Sequence, residues 1–281
     1  MFWRKISVAG RFPLIRLKQF SESPRAVKNW LSKNTYYRFS KRNYSDLYSD
    51  FVFFDPNQTL DYLINNKCSL ARFNDGEFDM ILGFGIYPPD SDWSQKYSRK
   101  LSNEMINVLS SESDKILVAV TPPWYFLQSG HSDNKGDFIE SMWIQIRAVL
   151  HGYLRVGRKY GDCRLFVPSC SPSFNWEKLR SYLSDKDVII ATGNTKAVEN
   201  YKLGERNFYV ECGKVNAFQK KDIIKSDILA CIETNMLDVE NVIVLASLGP
   251  TAGLLAYDLL DDGVTVWDTG HMFRYAAREL K

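Results

Sequence analysis

From Asp55 onward, short apolar runs alternate with longer segments whose apolar residues recur at helical spacing, and few folds accommodate that rhythm. Runs of about four to six residues at 68–73, 115–120, 163–167, 187–192, 208–211, 242–246 and 264–267 read as strands. They are nearly continuous in apolar character, as strands covered on both faces are. Asp55-Pro56 joins an N-cap residue to proline at the first helical position, and Leu60, Leu63 and Ile64 then share one face. Further helices are predicted from Glu77 to Leu82, over about 96–109, 138–150, 175–183 and 222–234, after Gly193-Asn194-Thr195, and from Gly249-Pro250-Thr251 through Leu260. The predicted fold class is α/β, a mainly parallel sheet with helices on both faces.

The chain's 281 residues divide into two regions of different charge. Residues 1–50 carry eleven Lys and Arg against Glu22, Asp46 and Asp50, a net +8, which leaves −5 for residues 51–281. This basic stretch, which includes Phe2, Trp3, Phe12, Phe20, Tyr36 and Tyr37, reads as an N-terminal extension, with residues 51–281 as the folded domain. Its cations and aromatics suit peripheral contact with an anionic membrane, where each Lys or Arg near the surface contributes about 1 kcal/mol. A solvated extension fits the same composition, and a nucleic-acid patch is the least favoured reading, so no nucleic-acid partner is expected. No apolar run approaches the roughly 20 residues that span a bilayer. The first residues make a poor signal peptide. Five cysteines without a CxxC pair and three scattered histidines argue against a zinc ribbon or a disulfide framework, and favour a cytoplasmic setting.

In a parallel sheet, ligands bind outside the carboxyl ends of the strands. Five loops are such ends: 72–77, 121–124, 193–195, 247–251 and 268–271. The first holds Arg72, Asp75 and Glu77 around Gly76. Two carboxylates at a helix start would repel a nucleotide diphosphate unless Mn²⁺ or Mg²⁺ lay between them, and Arg72 could grip a phosphate with its planar fork or instead pair with Asp75. The competing reading is structural, with Asp75 capping a helix that Glu77 lines. Gly249-Pro250-Thr251 offers a helix amino end to phosphate, and is equally a good helix start. Asn216 suits a base or ribose contact or a turn amide. Asn194, in Gly193-Asn194-Thr195-Lys196, resembles a phosphate turn without the P-loop spacing. His271 could ligate metal or touch phosphate. Trp124 could stack on a base or sugar. Asp79, Asp133 and Asp268 are weak candidates for a general base.

Four blocks carry a family resemblance. Arg72-Phe73-Asn74-Asp75-Gly76-Glu77 resembles the R-F-G-D-G-E motif of the GT-D-type glycosyltransferases, a bacterial family with a Rossmann-like fold. Similarity continues in Glu211-Cys212-Gly213-Lys214-Val215-Asn216-Ala217-Phe218, in Leu248-Gly249-Pro250-Thr251-Ala252 with Leu255-Ala256-Tyr257-Asp258-Leu259, and in Asp268-Thr269-Gly270-His271. The blocks keep the family's order. Asn74 stands where the family usually has glycine, and asparagine also tolerates positive φ.

The resemblance implies a metal-dependent transferase moving a sugar from a nucleotide-sugar donor, a UDP-sugar, to a glycan, glycolipid or glycoprotein acceptor at the cell surface. It makes Asp75 and Glu77 the metal and catalytic pair beside Arg72, with Asn194, Asn216, Gly249, Pro250, Thr251 and His271 as donor contacts. The rival readings are a non-catalytic nucleotide- or membrane-binding partner of a glycan-assembly complex, and a sugar phosphotransferase.

Overall fold

The computed structural model describes residues 51–83, 95–122 and 153–280. The basic extension, Trp124, Asp133 and the helix predicted over 138–150 lie outside the described residues. Eight strands form one sheet: β1 (Val52–Phe53), β2 (Ser69–Phe73), β3 (Ile116–Val120), β4 (Lys159–Asp162), β5 (Asp187–Thr192), β6 (Arg206–Glu211), β7 (Val242–Ser247) and β8 (Thr265–Asp268). Their order is β1-β4-β3-β2-β8-β7-β5-β6, and every pairing is parallel. The chain leaves β5 toward β6 and leaves β7 toward β8, so the two neighbours send their connections in opposite directions. Such a reversal opens a crevice at the strands' carboxyl ends.

The described helices are α1 (Pro56–Asn66), α2 (Asp75–Leu82), α3 (Arg99–Leu109), α4 (Trp176–Ser184), α5 (Lys221–Thr234), α6 (Pro250–Asp258) and α7 (Met272–Tyr275). They divide between the faces as the strand pattern requires. Ala71, Val118, Ile189 and Val244 point to one face, where they meet Phe78 of α2, Met105 of α3, Ile224 of α5 and Leu254 of α6. Leu70, Leu117, Val188 and Leu245 point to the other, toward Leu60 and Leu63 of α1, Leu179 of α4 and Met272 of α7. Among the described residues Trp267 is the largest fully buried side chain; it stacks on Tyr182 at 5.7 Å and donates its indole N–H to the Cys68 carbonyl at 3.0 Å. Truncating a buried tryptophan of this kind costs about 3–5 kcal/mol.

Local chemistry explains the helix boundaries. The Asp55 carboxylate accepts the Gln58 N–H at 2.8 Å while the Gln58 side chain accepts the Asp55 N–H at 3.0 Å, a reciprocal cap worth roughly 1 kcal/mol. Lys67, at φ +47, closes α1 in the left-handed conformation. In α3 the Ser98 hydroxyl accepts the Leu101 N–H, and Leu101, Met105, Val108 and Leu109 form the buried stripe.

Two expectations are corrected. The strand predicted at 163–167 lies just upstream, in the less apolar Lys159–Asp162. There Gly161 fits a gap where a Cβ would come within 2.9 Å of Thr59 and 3.0 Å of Leu117, so close packing rather than apolarity selects the strand. Cys163, Leu165 and Phe166 are still buried, but in successive turns beneath α1 and α4. The helix predicted after Asn194 is a single 3-10 turn, Thr195–Ala197. Beyond it only Val198 and Leu203 are buried, too few apolar residues for a helical stripe.

Candidate functional site

The sharpest geometry surrounds Arg72, the penultimate residue of β2. Its Nη1 donates to the Cys163 carbonyl at 2.7 Å and its Nη2 faces Asp268 Oδ1 at 3.4 Å. The Arg72 backbone N–H faces Asp268 Oδ2 at 3.4 Å, and Gly270 N–H donates to Oδ1 at 3.0 Å. Arg72 thus ties the ends of β2, β4 and β8 together. The ion pair is enclosed, with side-chain exposures of 15% for Arg72 and 3% for Asp268. Burial pushes the Asp268 carboxyl above its ordinary range, and the guanidinium and two amides pull it back. So enclosed, Asp268 is badly placed to take a proton from an acceptor hydroxyl.

Past β2 the chain turns at Asn74 into α2. Glu77 reaches back to accept the Asn74 N–H at 2.9 Å, so the cap of α2 is Asn74 rather than the Asp75 weighed for that role, and Glu77 completes the cap instead of only lining the helix. A carboxylate offers about four lone-pair sites, so this bond does not exclude a second duty. The backbone places Asp75 at the first position of α2, and its side chain lies outside the described residues. Asp79 is half-buried in the same helix. The Asn74 side-chain oxygen accepts from the Thr121 hydroxyl at 3.2 Å, joining the β2 and β3 ends. Thr121 also lies 3.2 Å from Cys163 Sγ, a thiol that burial pushes up to about 12 and so leaves unreactive.

At the end of β7, Gly249 adopts φ +57 and ψ −141, a combination open essentially to glycine alone, and no described residue lies within 4 Å of where its Cβ would be. Pro250 follows at the first helical position. Thr251 is fully buried, and its hydroxyl has no hydrogen-bond partner among the described residues. The Ser247 hydroxyl donates to the Gly270 carbonyl, which links the β7 end to the turn after β8. His271 is the N-cap residue just before α7, exposed, its ring edge-on to Tyr275 at 5.7 Å.

The ends of β5 and β6 form a second group. A Cβ on Gly193 would come 2.7 Å from the Gly213 carbonyl, so the two loops touch through backbone. Asn194 is exposed. Glu211 accepts from the Thr195 hydroxyl at 2.6 Å and from its N–H at 2.8 Å, and these bonds hold its carboxyl below the usual range. Asn216, at φ +50, accepts the Lys96 N–H at 3.1 Å through its side-chain oxygen. The amide therefore bonds across the fold instead of within its own turn, to Lys96, which with Tyr97, Lys100 and Phe218 lines a groove of about 240 Å³.

Four of the five predicted loops, and the described residues 121–122 of the fifth, therefore fall at carboxyl ends of strands. Arg72 and the 268–271 block are brought into contact, and Ser247 joins them. Asn194 and Asn216 belong to the β5–β6 group. Among the described residues, no three His, Cys, Asp or Glu side chains gather as a metal cage. What the sequence reading missed is the holding of Arg72: a backbone carbonyl such as that of Cys163 leaves no mark in a sequence. Asp268 did leave one, as an acid closing an apolar strand.

Residues 70–276 match the family described as "GT-D: Glycosyltransferase GT-D fold". The chain is 29% identical over 227 residues to a probable glycosyl transferase, Gly, of Streptococcus gordonii, covering 76% of this chain and 31% of that protein. It is 29% identical over 230 residues to the glycosyltransferase GlyD of Streptococcus pneumoniae serotype 4, covering 76% and 26%. The chain thus spans under a third of the length of these two relatives. Among solved structures, a glycosyltransferase (DUF1792) from Streptococcus sanguinis aligns with TM-score 0.65 at 24% identity, covering 81% of this chain and 84% of that one. A domain of unknown function 1792, described as having a distinct glycosyltransferase fold, aligns at 0.66 and 24%, covering 89% and 84%.

Proposed function

This chain belongs to the GT-D glycosyltransferase family, and from that premise we propose that it transfers a sugar from a UDP-sugar to a glycan, glycolipid or glycoprotein acceptor in cell-surface assembly. One observation carries the reading. The four motif blocks, spread over two hundred residues, all fall at carboxyl ends of strands of one parallel sheet, at β2, β6, β7 and β8. That edge is where a doubly wound sheet receives a nucleotide.

Arg72 supplies a fixed cation for the donor diphosphate, and the first turn of α6 supplies N–H groups beside the open space at Gly249. His271, exposed at the end of β8, is a further contact for the diphosphate or its metal. Mn²⁺ or Mg²⁺ would be held by Asp75 and Glu77. Such ions are commonly bound by one or two carboxylates together with substrate phosphates, so this donor set fits without a three-residue protein cage. When bound, the metal supplies charge neutralisation of the leaving diphosphate. Asn194 and Asn216 are assigned to the nucleoside side, at the β5–β6 group.

Cytoplasmic residence, with peripheral membrane contact through residues 1–50, belongs to the same proposal. Among the described residues no helix is long and apolar enough to cross a membrane. Deleting residues 1–50 is expected to weaken binding to anionic vesicles, and unchanged sedimentation with the vesicles would remove the anchor.

The central test titrates UDP by calorimetry with and without Mn²⁺, followed by a nucleotide-sugar panel scored by nucleotide release. Metal-dependent UDP binding and turnover of one donor are expected. Asp75→Asn with Glu77→Gln should abolish turnover while the melting temperature moves little, because glutamine can still accept the Asn74 N–H. Full activity in that double variant would defeat the mechanism.

A further inference from the structure

We propose that Asp268 and Gly270 are positioning residues that together seat the Arg72 guanidinium for the donor diphosphate; the inference rests on the donor reading above. A guanidinium binds phosphate well only when its plane is fixed, because the fork must meet two oxygens at once. Arginine carries several freely turning bonds, so that plane has to be imposed from outside. Here three neighbours impose it. The Cys163 carbonyl takes Nη1 at 2.7 Å, and Asp268 Oδ1 stands 3.4 Å from Nη2. The third is a missing side chain: a Cβ on Gly270 would lie 1.7 Å from Nη2 and 2.7 Å from Cζ. The guanidinium therefore occupies the space that any other residue at 270 would fill.

Gly270 does a second thing. Its φ of +50 turns its own N–H onto Asp268 Oδ1 at 3.0 Å, so the glycine holds the carboxylate that holds the arginine. Asp268 meanwhile faces the Arg72 backbone N–H with its other oxygen, fixing the base of the side chain as well as its tip. The result is an arginine side chain only 15% exposed, enclosed by β2, β4, β8 and the turn after β8, with its Nε buried and without a hydrogen-bond partner among the described residues. Asp268 acts through Arg72 and does not touch the reacting atoms.

A cycle of variants in the full chain tests this. Affinity for UDP with Mn²⁺ and turnover of the donor identified by the panel are measured for Arg72→Ala, Asp268→Asn, Gly270→Ala and each of the latter two combined with Arg72→Ala. Asp268→Asn and Gly270→Ala should each weaken UDP binding about tenfold, the size of one lost charge-assisted contact. In the Arg72→Ala background neither should cost more than about twofold, because nothing remains to be seated. A general base behaves otherwise: its loss lowers kcat in either background and leaves UDP affinity alone. That pattern, or full additivity of the losses, overturns the proposal. If Arg72→Ala fails to fold, Arg72→Met with Asp268→Asn removes both charges and becomes the background. Gly270→Ala must then cost no UDP affinity, and a tenfold loss there overturns the proposal equally. A wild-type chain that binds no UDP defeats the donor reading itself, a different outcome from additive losses in a chain that does.

Discussion

Asp268 and Glu211 both stand at strand ends on the same edge of the sheet, and opposite forces act on them. At β8 the carboxylate is enclosed; burial pushes its pKa up and a buried cation opposes the shift. At β6 the carboxylate is exposed, and the hydroxyl and N–H of Thr195 pull its pKa down. The contrast shows where charge is structurally committed. At β8 the sheet has removed water, so each charge depends on its partner. At β6 water still solvates the acid, and the hydrogen bonds only adjust it.

Arg72→Ala should break this contrast most severely. It leaves the Asp268 carboxylate buried without its cation, and a single-partner loss of this kind costs about 3–5 kcal/mol. Urea unfolding measures it, and a loss below about 1 kcal/mol would mean that water reaches Asp268 after all. Next in size is Gly193→Ala at the β5–β6 group, where the new methyl meets the Gly213 carbonyl at 2.7 Å. Overpacking there should cost about 1–3 kcal/mol, read in the same unfolding experiment.

The acid-range stability profile should separate the two carboxylates by sign. Asp268 is raised, so its contribution is fully present below the ordinary aspartate range and is lost as pH rises through its folded pKa. Asp268→Asn should flatten the profile at that end. Glu211 is lowered, so its contribution is present above its ordinary value of 4.5 and is lost as pH falls through its folded pKa. The smallest effect is expected from Thr195→Val, which removes the hydroxyl bond. Stability should change by no more than about 0.5 kcal/mol, while the Glu211 carboxyl resonance titrates at higher pH than in the wild type. An unmoved Glu211 titration would assign its shift to something other than Thr195.

The sheet was legible because its strands are buried on both faces, which writes near-continuous apolar runs into the chain; Asp187–Thr192, entirely buried, is an example. The helix starts were legible because capping is local: Asp55-Pro56 and Gly249-Pro250 announce themselves within a few residues. β4 was misplaced because Lys159-Tyr160-Gly161-Asp162 is a strand for reasons held by Thr59 and Leu117, far away in sequence. The site divides along the same line. The blocks named the loops, and the strand-end rule put them on one edge. The 3.4 Å approach of Asp268 to Arg72, across 196 residues of sequence, follows only once β8 is known to lie beside β2.

That neighbouring position of β8 has a consequence for assembly. Among the described strands, β1, β4, β3 and β2 form one paired set and β7, β5 and β6 another, and only β8 pairs with both. β8 is also the eighth of the described strands in chain order, so during synthesis from the amino end both sets emerge before the strand that joins them. Until it inserts, β2 and β7 each present an open flank that invites mispairing. The insertion that closes the flanks also delivers Asp268 and Gly270 to Arg72. Completion of the sheet and of the arginine seat is thus one folding event, and a chain stalled before it should lack both.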